Sequence, residues 1–394
     1  MDVDNPNKKV NKKFLWIILG LIFLVAGGML TVFIALKDDN KPPEQTATKP
    51  SVIYSGNVEG RYMFSGTVVL DRAVEKYANG DLSQPFSGIA SFNPQNYDAW
   101  MIDLECPVTT NDISFEEQLV YPRFNCNLEW LTELKKNFSL INLANNHSSD
   151  LGKDAFLTTQ KNLVDAGFQI VGNYDPGVEN DRCEVMSLPV KVYEDKEYRE
   201  AKLPVAFCAF HYFERPPNPG ELDIVKDYSE IMPVFSFMHV GVEYVASAGA
   251  DQRAIARQLI DSGSEFVIGN SPHWVQESEV YKGKPIFYST GNFMFDQLET
   301  ETNRGLSIDV SLSVNYDENT FKWLELGESC QEWKDSCLQE AKSKDVSKLK
   351  LDLTYEPVGN LTGARVVTTK ADAATQKAIE ERLNWLQTKQ QLGQ

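Results

Sequence analysis

Histidine is scarce in this chain of 394 residues: there are four, at 147, 211, 239 and 273. Basic residues are outnumbered 56 to 38, for a formal net charge of −18, so the broad basic face that nucleic acid requires is excluded. No two of the six cysteines stand in C-x-x-C spacing, which removes the common zinc and redox motifs. No G-x-S-x-G elbow, G-x-G-x-x-G fingerprint or glycine-rich phosphate cradle falls at a strand–helix junction. Internal repeats and heptad arrays are absent too.

Only one hydrophobic run is long. Phe14–Leu36 spans 23 residues without a charge, enough to cross a hydrocarbon core as a helix. Lys8, Lys9, Lys12 and Lys13 precede it, so residues 1–13 are expected in the cytoplasm and the body outside, with the helix kept as an uncleaved anchor. Residues 37–52 have the polar, proline-containing composition of a flexible linker. The part beyond residue 50 carries about −20 of the net charge, an acidic ectodomain that gathers cations. Cys106, Cys126, Cys183, Cys208, Cys330 and Cys337 allow three disulfides in fifteen pairings, of which Cys330–Cys337 is the easiest local bridge; buried thiols are the alternative.

From Tyr54 onward, short apolar runs alternate with amphipathic segments. Strands are expected at RYMFSGTVVL, DAWMIDLE, SLINLA, FQIVG, LPVAFCAF, MPVFSFMH, EFVIG and KPIFYSTG, and helices at EWLTELKKN, KDAFLTTQKNLVDAG and DQRAIARQLIDSG. That alternation is the signature of an α/β domain over 53–315. Residues 316–394 read as a charged, Cys-containing insertion followed by C-terminal strands and a terminal helix packed on the same domain.

In an open α/β sheet, function gathers beyond the carboxyl ends of the strands. Asp103 and Glu105 close one expected strand, two residues apart and so on one face. Asn146 and His147 follow a second strand, His239 a third, His273 a fourth and Asn292 a fifth. Any one of these reads most simply as a strand cap, but five polar ends together suit a divalent ion of the manganese, zinc or iron class. His211 ends another strand before a proline-rich loop and reads as structural or pocket-lining. Asp150 either orients His147 or caps the helix that follows. Arg72 either grips a phosphate or carboxylate or pairs with a neighbouring acid.

The blocks MHVGVEY (238–244), VIGNSPHWVQ running to GKPIFYSTGNFMFDQ (267–297), NLANNHSSDLG and DLECPVT resemble the poly-gamma-glutamate capsule biosynthesis family, CapA-like, in order and spacing over residues 58–312. The resemblance implies a four-layer α-β-β-α sandwich of the calcineurin-like metallophosphatase type. It implies Glu105, Asn146, His239 and His273 as metal ligands and His147, with Asp150, as the catalytic proton donor. Two family positions differ: Gly66-Thr67 stands for Gly-Asp, and Ser271-Pro272-His273 for His-Pro-His. Asp103 stands where the family has Asn and is the candidate to replace the lost charge, so one divalent ion or none is expected. Arg72, Asn292 and Ser271 are the candidates for binding substrate.

These readings imply a single-pass, extracytoplasmic protein of capsule or cell-envelope polymer synthesis or export. Its expected partners are the membrane, an anionic polymer or its precursor, and other subunits of a synthase or export complex, and no nucleic acid. It is either a metal-dependent hydrolase of phosphoesterase type or a non-catalytic scaffold that handles the polymer.

Overall fold

In the computed structural model, strand β1 (Asn57–Val68) buries residues on both of its faces. Val58, Tyr62 and Phe64 enter one apolar core and Met63 the other, as the two-residue period of a strand requires; Val68 joins Met63 because the register shifts between Phe64 and Thr67. The structure describes residues 54–110, 113–121, 123–172, 182–194, 197–212 and 220–394, and the unit that contains them is Tyr54–Gln394. The expected cytoplasmic lead, membrane span and linker at 1–52 lie outside the described residues. Among the described residues no helix is long and apolar enough to cross a membrane.

The other strands follow as β2 (Ala99–Leu104), β3 (Val108–Thr109), β4 (Cys126–Asn127), β5 (Leu140–Asn142), β6 (Gln169–Val171), β7 (Cys183–Glu194), β8 (Glu197–His211), β9 (Val234–His239), β10 (Ser264–Asn270), β11 (Ser278–Tyr281), β12 (Lys284–Phe287), β13 (Asn292–Met294), β14 (Arg304–Asn315), β15 (Asp352–Thr362) and β16 (Thr368–Lys370). All but β3 and β4 join one mixed sheet, in the order β11-β12-β10-β9-β8-β7-β1-β14-β15-β16, with β2, β5, β6 and β13 branching from β1. Two blocks are parallel: β1, β2, β5 and β6, and β8, β9, β10 and β12. The result is a mixed α/β, sheet-rich fold.

The sheet curls back on itself. β9 is the third strand from β1, which in a flat sheet would place it about 14 Å away. Yet the Phe64 ring lies 5.6 Å from Phe237 of β9 and 5.7 Å from Phe266 of β10, centroid to centroid. The two parallel blocks therefore face each other across the first core, and their aromatic faces exclude water between them.

The helix Lys153–Asp165 covers the second core through Phe156, Thr159 and Leu163, and Ala250–Asp261 covers the first through Ile255, Ala256 and Leu259, in both cases one face at helical spacing. Other expectations needed revision. EWLTELKKN holds only a 3₁₀ turn, Leu128–Trp130, and one short helix, Leu131–Leu134. Before LPVAFCAF lies an unanticipated strand, β7, which pairs with β8 as a long hairpin; its pattern is broken by Pro189 and charged residues, which hid it. The segment after residue 316 forms three helices, Glu318–Glu325, Gly327–Glu332 and Lys334–Ser343. After them β15 pairs with β14 along ten residue pairs. The cysteines pair as Cys106–Cys126, Cys183–Cys208 and Cys330–Cys337.

Candidate functional site

Because both parallel blocks run the same way, their carboxyl ends meet where the curled sheet closes. β1 and β2 set Thr67 beside Asp103, and β2 and β5 set Asp103 beside Asn142. In the opposite block, β8, β9 and β10 align His211, His239 and Asn270. Gly66 makes the approach possible: a Cβ there would lie 1.9 Å from the Gly291 carbonyl oxygen, and the Thr67 N–H donates to that same oxygen at 3.1 Å.

Side chains from the two blocks then touch. Asn270 Nδ2 donates to Thr67 Oγ1 at 2.5 Å and to Asp103 Oδ2 at 2.8 Å. His239 lies between two carboxylates, its Nδ1 3.4 Å from Asp103 Oδ2 and its Nε2 3.8 Å from Glu105 Oε1. Asp103 also accepts from Asn142 and Asn145, at 3.2 and 3.0 Å. Three amide groups thus point N–H at Asp103, which orients them and leaves it little spare acceptor capacity.

Glu105 is the reverse case. It is fully buried, and neither oxygen reaches a partner at hydrogen-bonding geometry. Its pKa is driven well above the usual carboxylate value, first by burial and then by the negative charge of Asp103; the Thr67 hydroxyl pulls the other way. A buried carboxylate lacking both partners is costly unless a proton or a cation joins it. The side-chain oxygens of Asn146 and Asn270 are buried and unpartnered as well. This set of one carboxylate and two amide oxygens, with His239 alongside, suits a divalent ion by its chemistry. Among the described residues, however, no group of three or more His, Cys, Asp or Glu side chains is arranged to hold a metal ion.

His147 Nδ1 lies 2.8 Å from Asp150 Oδ2, which also accepts the Phe124 N–H at 2.7 Å. An ionised carboxylate only accepts, so His147 carries its proton on Nδ1 and Nε2 is left to exchange protons. Asp150 does not cap the helix after it, whose N-cap is Gly152 with no side-chain cap. His273 Nδ1 meets Asn292 Oδ1 at 2.8 Å; burial, the largest cause, lowers its pKa to about 4. Its ring stacks on Phe295 at 5.5 Å. Burial likewise lowers His211 to about 3, and its Nε2 is unpartnered.

Arg72 forms a two-pronged pair with Asp296, and its guanidinium lies 4.9 Å from the Phe124 ring and 5.2 Å from the Phe295 ring. Those rings back onto His147 and His273 respectively. Ser271 Oγ donates to the Gly241 carbonyl at 3.1 Å, and its backbone φ of 107° is strained for a residue with a side chain. Asn292 has its amide occupied at both ends, by His273 and by Gln297 and Thr302. Sequence reasoning missed Asn270, Asn142 and Asn145 as donors to Asp103. Asn270 closes an apolar strand just as Asn292 follows one, a signal that was available.

The chain matches the model of the family described as bacterial capsule synthesis protein PGA_cap over residues 61–193 and 225–297, about half its length. It belongs to this family. All of the site's strand ends except His211 fall within the matched residues. Over 195 residues it is 29% identical to the PGA biosynthesis protein CapA of Bacillus subtilis (strain 168), covering 45% of this chain and 48% of that protein. Over 191 residues it is 29% identical to the capsule biosynthesis protein CapA of Bacillus anthracis, covering 45% of each. A probable polyglutamine synthesis accessory protein of Mycobacterium tuberculosis (strain CDC 1551 / Oshkosh) is 25% identical over 216 residues, 50% of this chain and 56% of that one. The chain thus spans about half the length of the curated relatives it matches. Among solved structures, a phosphatase from Mycoplasma pneumoniae aligns at TM-score 0.36 and 12% identity, covering 81% of this chain and 96% of that one. A 5'-nucleotidase from Candida albicans SC5314 aligns at 0.35 and 8%, covering 72% and 57%. Both likenesses are too slight to carry a function.

Proposed function

We propose that this PGA_cap protein is a membrane-anchored, extracytoplasmic component of capsule or envelope polymer synthesis, with a single-cation, phosphoesterase-like site at the closing edge of its curled sheet. The four-layer α-β-β-α arrangement is part of this reading, supported by the curled sheet and its two cores. One observation carries the site: Glu105 is fully buried with both oxygens unpartnered and lies 3.8 Å from His239 Nε2, and the amide oxygens of Asn146 and Asn270 are buried and unpartnered too. Glu105, Asn146, His239 and His273 would hold the ion, and Asp103 would orient His239 from behind. A divalent ion bound there would supply Lewis-acid polarisation of a phosphoryl or γ-glutamyl carbonyl oxygen. His147, steadied by Asp150, would pass a proton to or from the substrate through Nε2, and Arg72 would lend positive charge to an anionic group beside it.

A second reading has its own support. Thr67 and Ser271 spend their hydroxyls on internal hydrogen bonds, and three charged or imidazole ligands are not arranged together among the described residues. That favours a scaffold which holds polymer for partner subunits without cleaving it. Metal content of the purified full-length chain, beside Glu105→Gln and His239→Ala, separates the two. About one manganese, zinc or iron ion per chain, lost in both variants, supports the cation site. No binding at micromolar supply overturns it and leaves the scaffold.

A further inference from the structure

The hydrogen bonds around His273 assign their own directions. Asn292 Nδ2 lies 3.1 Å from the Thr302 carbonyl oxygen. A carbonyl only accepts, so the Asn292 atom facing it is the NH₂ group and not the oxygen. The same NH₂ group lies 3.1 Å from Gln297 Oε1. Asn292 Oδ1 must therefore face His273, and at 2.8 Å it requires a proton on Nδ1. The Asn292 backbone is held as well: Asn360 Nδ2 donates to its carbonyl at 2.9 Å, and a Cβ at Gly305 would lie 1.8 Å from that carbonyl oxygen.

The chain of directions continues outward. With Gln297 Oε1 accepting from Asn292, its Nε2 donates to the Tyr244 hydroxyl at 2.9 Å. That hydroxyl accepts, so its own hydrogen is left to point elsewhere. Tyr244 is 46% exposed, and its ring lies 5.8 Å from His273, 26° from parallel. Its backbone is held at φ 59° by an N–H bond to the Pro272 carbonyl, 2.9 Å long. A left-handed tyrosine persists only where its surroundings over-determine it. Here the surroundings are the two ends of one circuit, which leaves His273 through Asn292 and returns to its ring through Tyr244.

We infer that Asn292, Gln297 and Tyr244 form a positioning relay that locks His273 in the tautomer protonated on Nδ1, making Nε2 an electron-pair donor and Tyr244 O–H a half-exposed donor to an oxygen on the bound ligand. In that tautomer His273 Nε2 accepts a hydrogen bond or acts as a ligand, whether or not an ion binds, so the inference stands apart from the cation reading. It also sets the histidines apart: His147 is oriented through Nδ1 by the Asp150 carboxylate, while His273 is fixed as a receiving group by an amide oxygen. Asn292, by the same logic, acts through His273 and does not itself contact substrate.

The test is a long-range ¹H–¹⁵N correlation spectrum of the full-length chain labelled at histidine nitrogen, in chelator. Only four histidines contribute, and His273→Gln identifies the signals of residue 273 by their loss. The wild type is expected to show His273 almost wholly as the Nδ1–H form. Asn292→Leu, which removes the acceptor, is expected to move most of the population to Nε2–H, and Asn292→Asp to restore Nδ1–H. Gln297→Leu leaves Thr302 as the sole anchor of the Asn292 amide and should shift the population the same way by less. A wild-type His273 protonated on Nε2 overturns the lock by itself, even if Asn292→Leu does not fold. A folded Asn292→Leu with its tautomer unchanged does the same. No shift in Gln297→Leu removes Gln297 and Tyr244 from the relay.

Discussion

Glu105→Gln is the most informative single change, because it removes the unpartnered charge and nearly keeps the shape. The ordinary pKa of the group is 4.5, so protonating it in the unfolded chain at pH 7 costs about 3.4 kcal/mol. That figure is a ceiling on what the raised pKa takes from the metal-free fold at pH 7, since the folded chain can always adopt the neutral acid. A glutamine is neutral without this cost. In chelator the variant should therefore be the more stable protein, by up to about 3 kcal/mol at pH 7 and less than about 1 kcal/mol at pH 5. The sign follows from proton counts. Above pH 4.5 this group in the folded wild type holds a proton that the unfolded chain releases, so its contribution to wild-type stability falls as pH rises, and the variant has no such contribution. Urea melts of both proteins from pH 5 to 8 in chelator read this directly. Adding the divalent ion should reverse the order, stabilising the wild type by about 4.1 kcal/mol at a thousand times Kd and leaving the variant unmoved. Parallel pH profiles in chelator would refute the reasoning, since they would mean that Glu105 is already compensated within the chain.

Three further outcomes follow from other parts of the molecule. His211, held near pKa 3 mainly by burial, with the charges of His239 and Arg182 adding, must gain a proton on unfolding below pH 6.5. The fold should lose on the order of 3–4 kcal/mol between pH 6.5 and 3 on its account, and His211→Asn should flatten that part of a urea-midpoint profile. Cys106–Cys126 closes a loop with a sequence separation of 20 and ties the end of β2 to β4. Replacing both cysteines by alanine should cost about 3 kcal/mol, against less for the separation of 7 in Cys330–Cys337, as read by urea midpoints. Arg72→Lys keeps the charge but forfeits the two-pronged pair with Asp296 and the planar contact with Phe124 and Phe295. A double-mutant cycle with Asp296→Asn should give a coupling of about 1–3 kcal/mol, and a value near zero would show the pair to be incidental.

Much of the site was legible because its residues break a simple rule. Glu105, Asn146, His239 and His273 each follow an apolar strand, where packing gives no reason for a polar side chain, and parallel strands bring such ends to one edge. The curl of the sheet was not legible from spacing alone. It depends on Phe64, Phe207, Phe235, Phe237 and Phe266 interlocking across the core, and an aromatic in a strand looks the same whether its partner is one strand away or four. β7 was hidden for a related reason: its stability comes from pairing with β8 along its whole length, a non-local gain that its own Pro189 and charged residues do not advertise. The Cys330–Cys337 bridge was legible from its short spacing, but Cys183–Cys208 was hidden, since those two become neighbours only through that hairpin.

The exchange of residues at the site's centre explains why it should hold one cation at most. The resemblance leads one to expect a carboxylate at position 67, where there is a threonine, and an amide at position 103, where there is an aspartate. The two positions are register partners on adjacent strands, so the charge is kept but moves one strand over. The move changes what the charge can do. At 103 it lies within reach of Asn142, Asn145 and Asn270, all of which turn N–H groups toward it, and a carboxylate so occupied is a poor ligand but a firm anchor. Asn270 binds Thr67 and Asp103 together, and so draws the β10 end against β1 and β2 where a second ion would otherwise be needed to hold like charges side by side. Glu105 is left, among the described residues, as the one buried carboxylate with both oxygens unpartnered. A cation bound there would have one carboxylate to itself, with amide and imidazole groups around it. Asp103→Asn should accordingly disturb the orientation of His239 and Asn270 more than it lowers the charge at the ion. If Asp103→Asn weakened cation binding as much as Glu105→Gln does, the anchor argument would be wrong, and Asp103 would be a ligand in its own right.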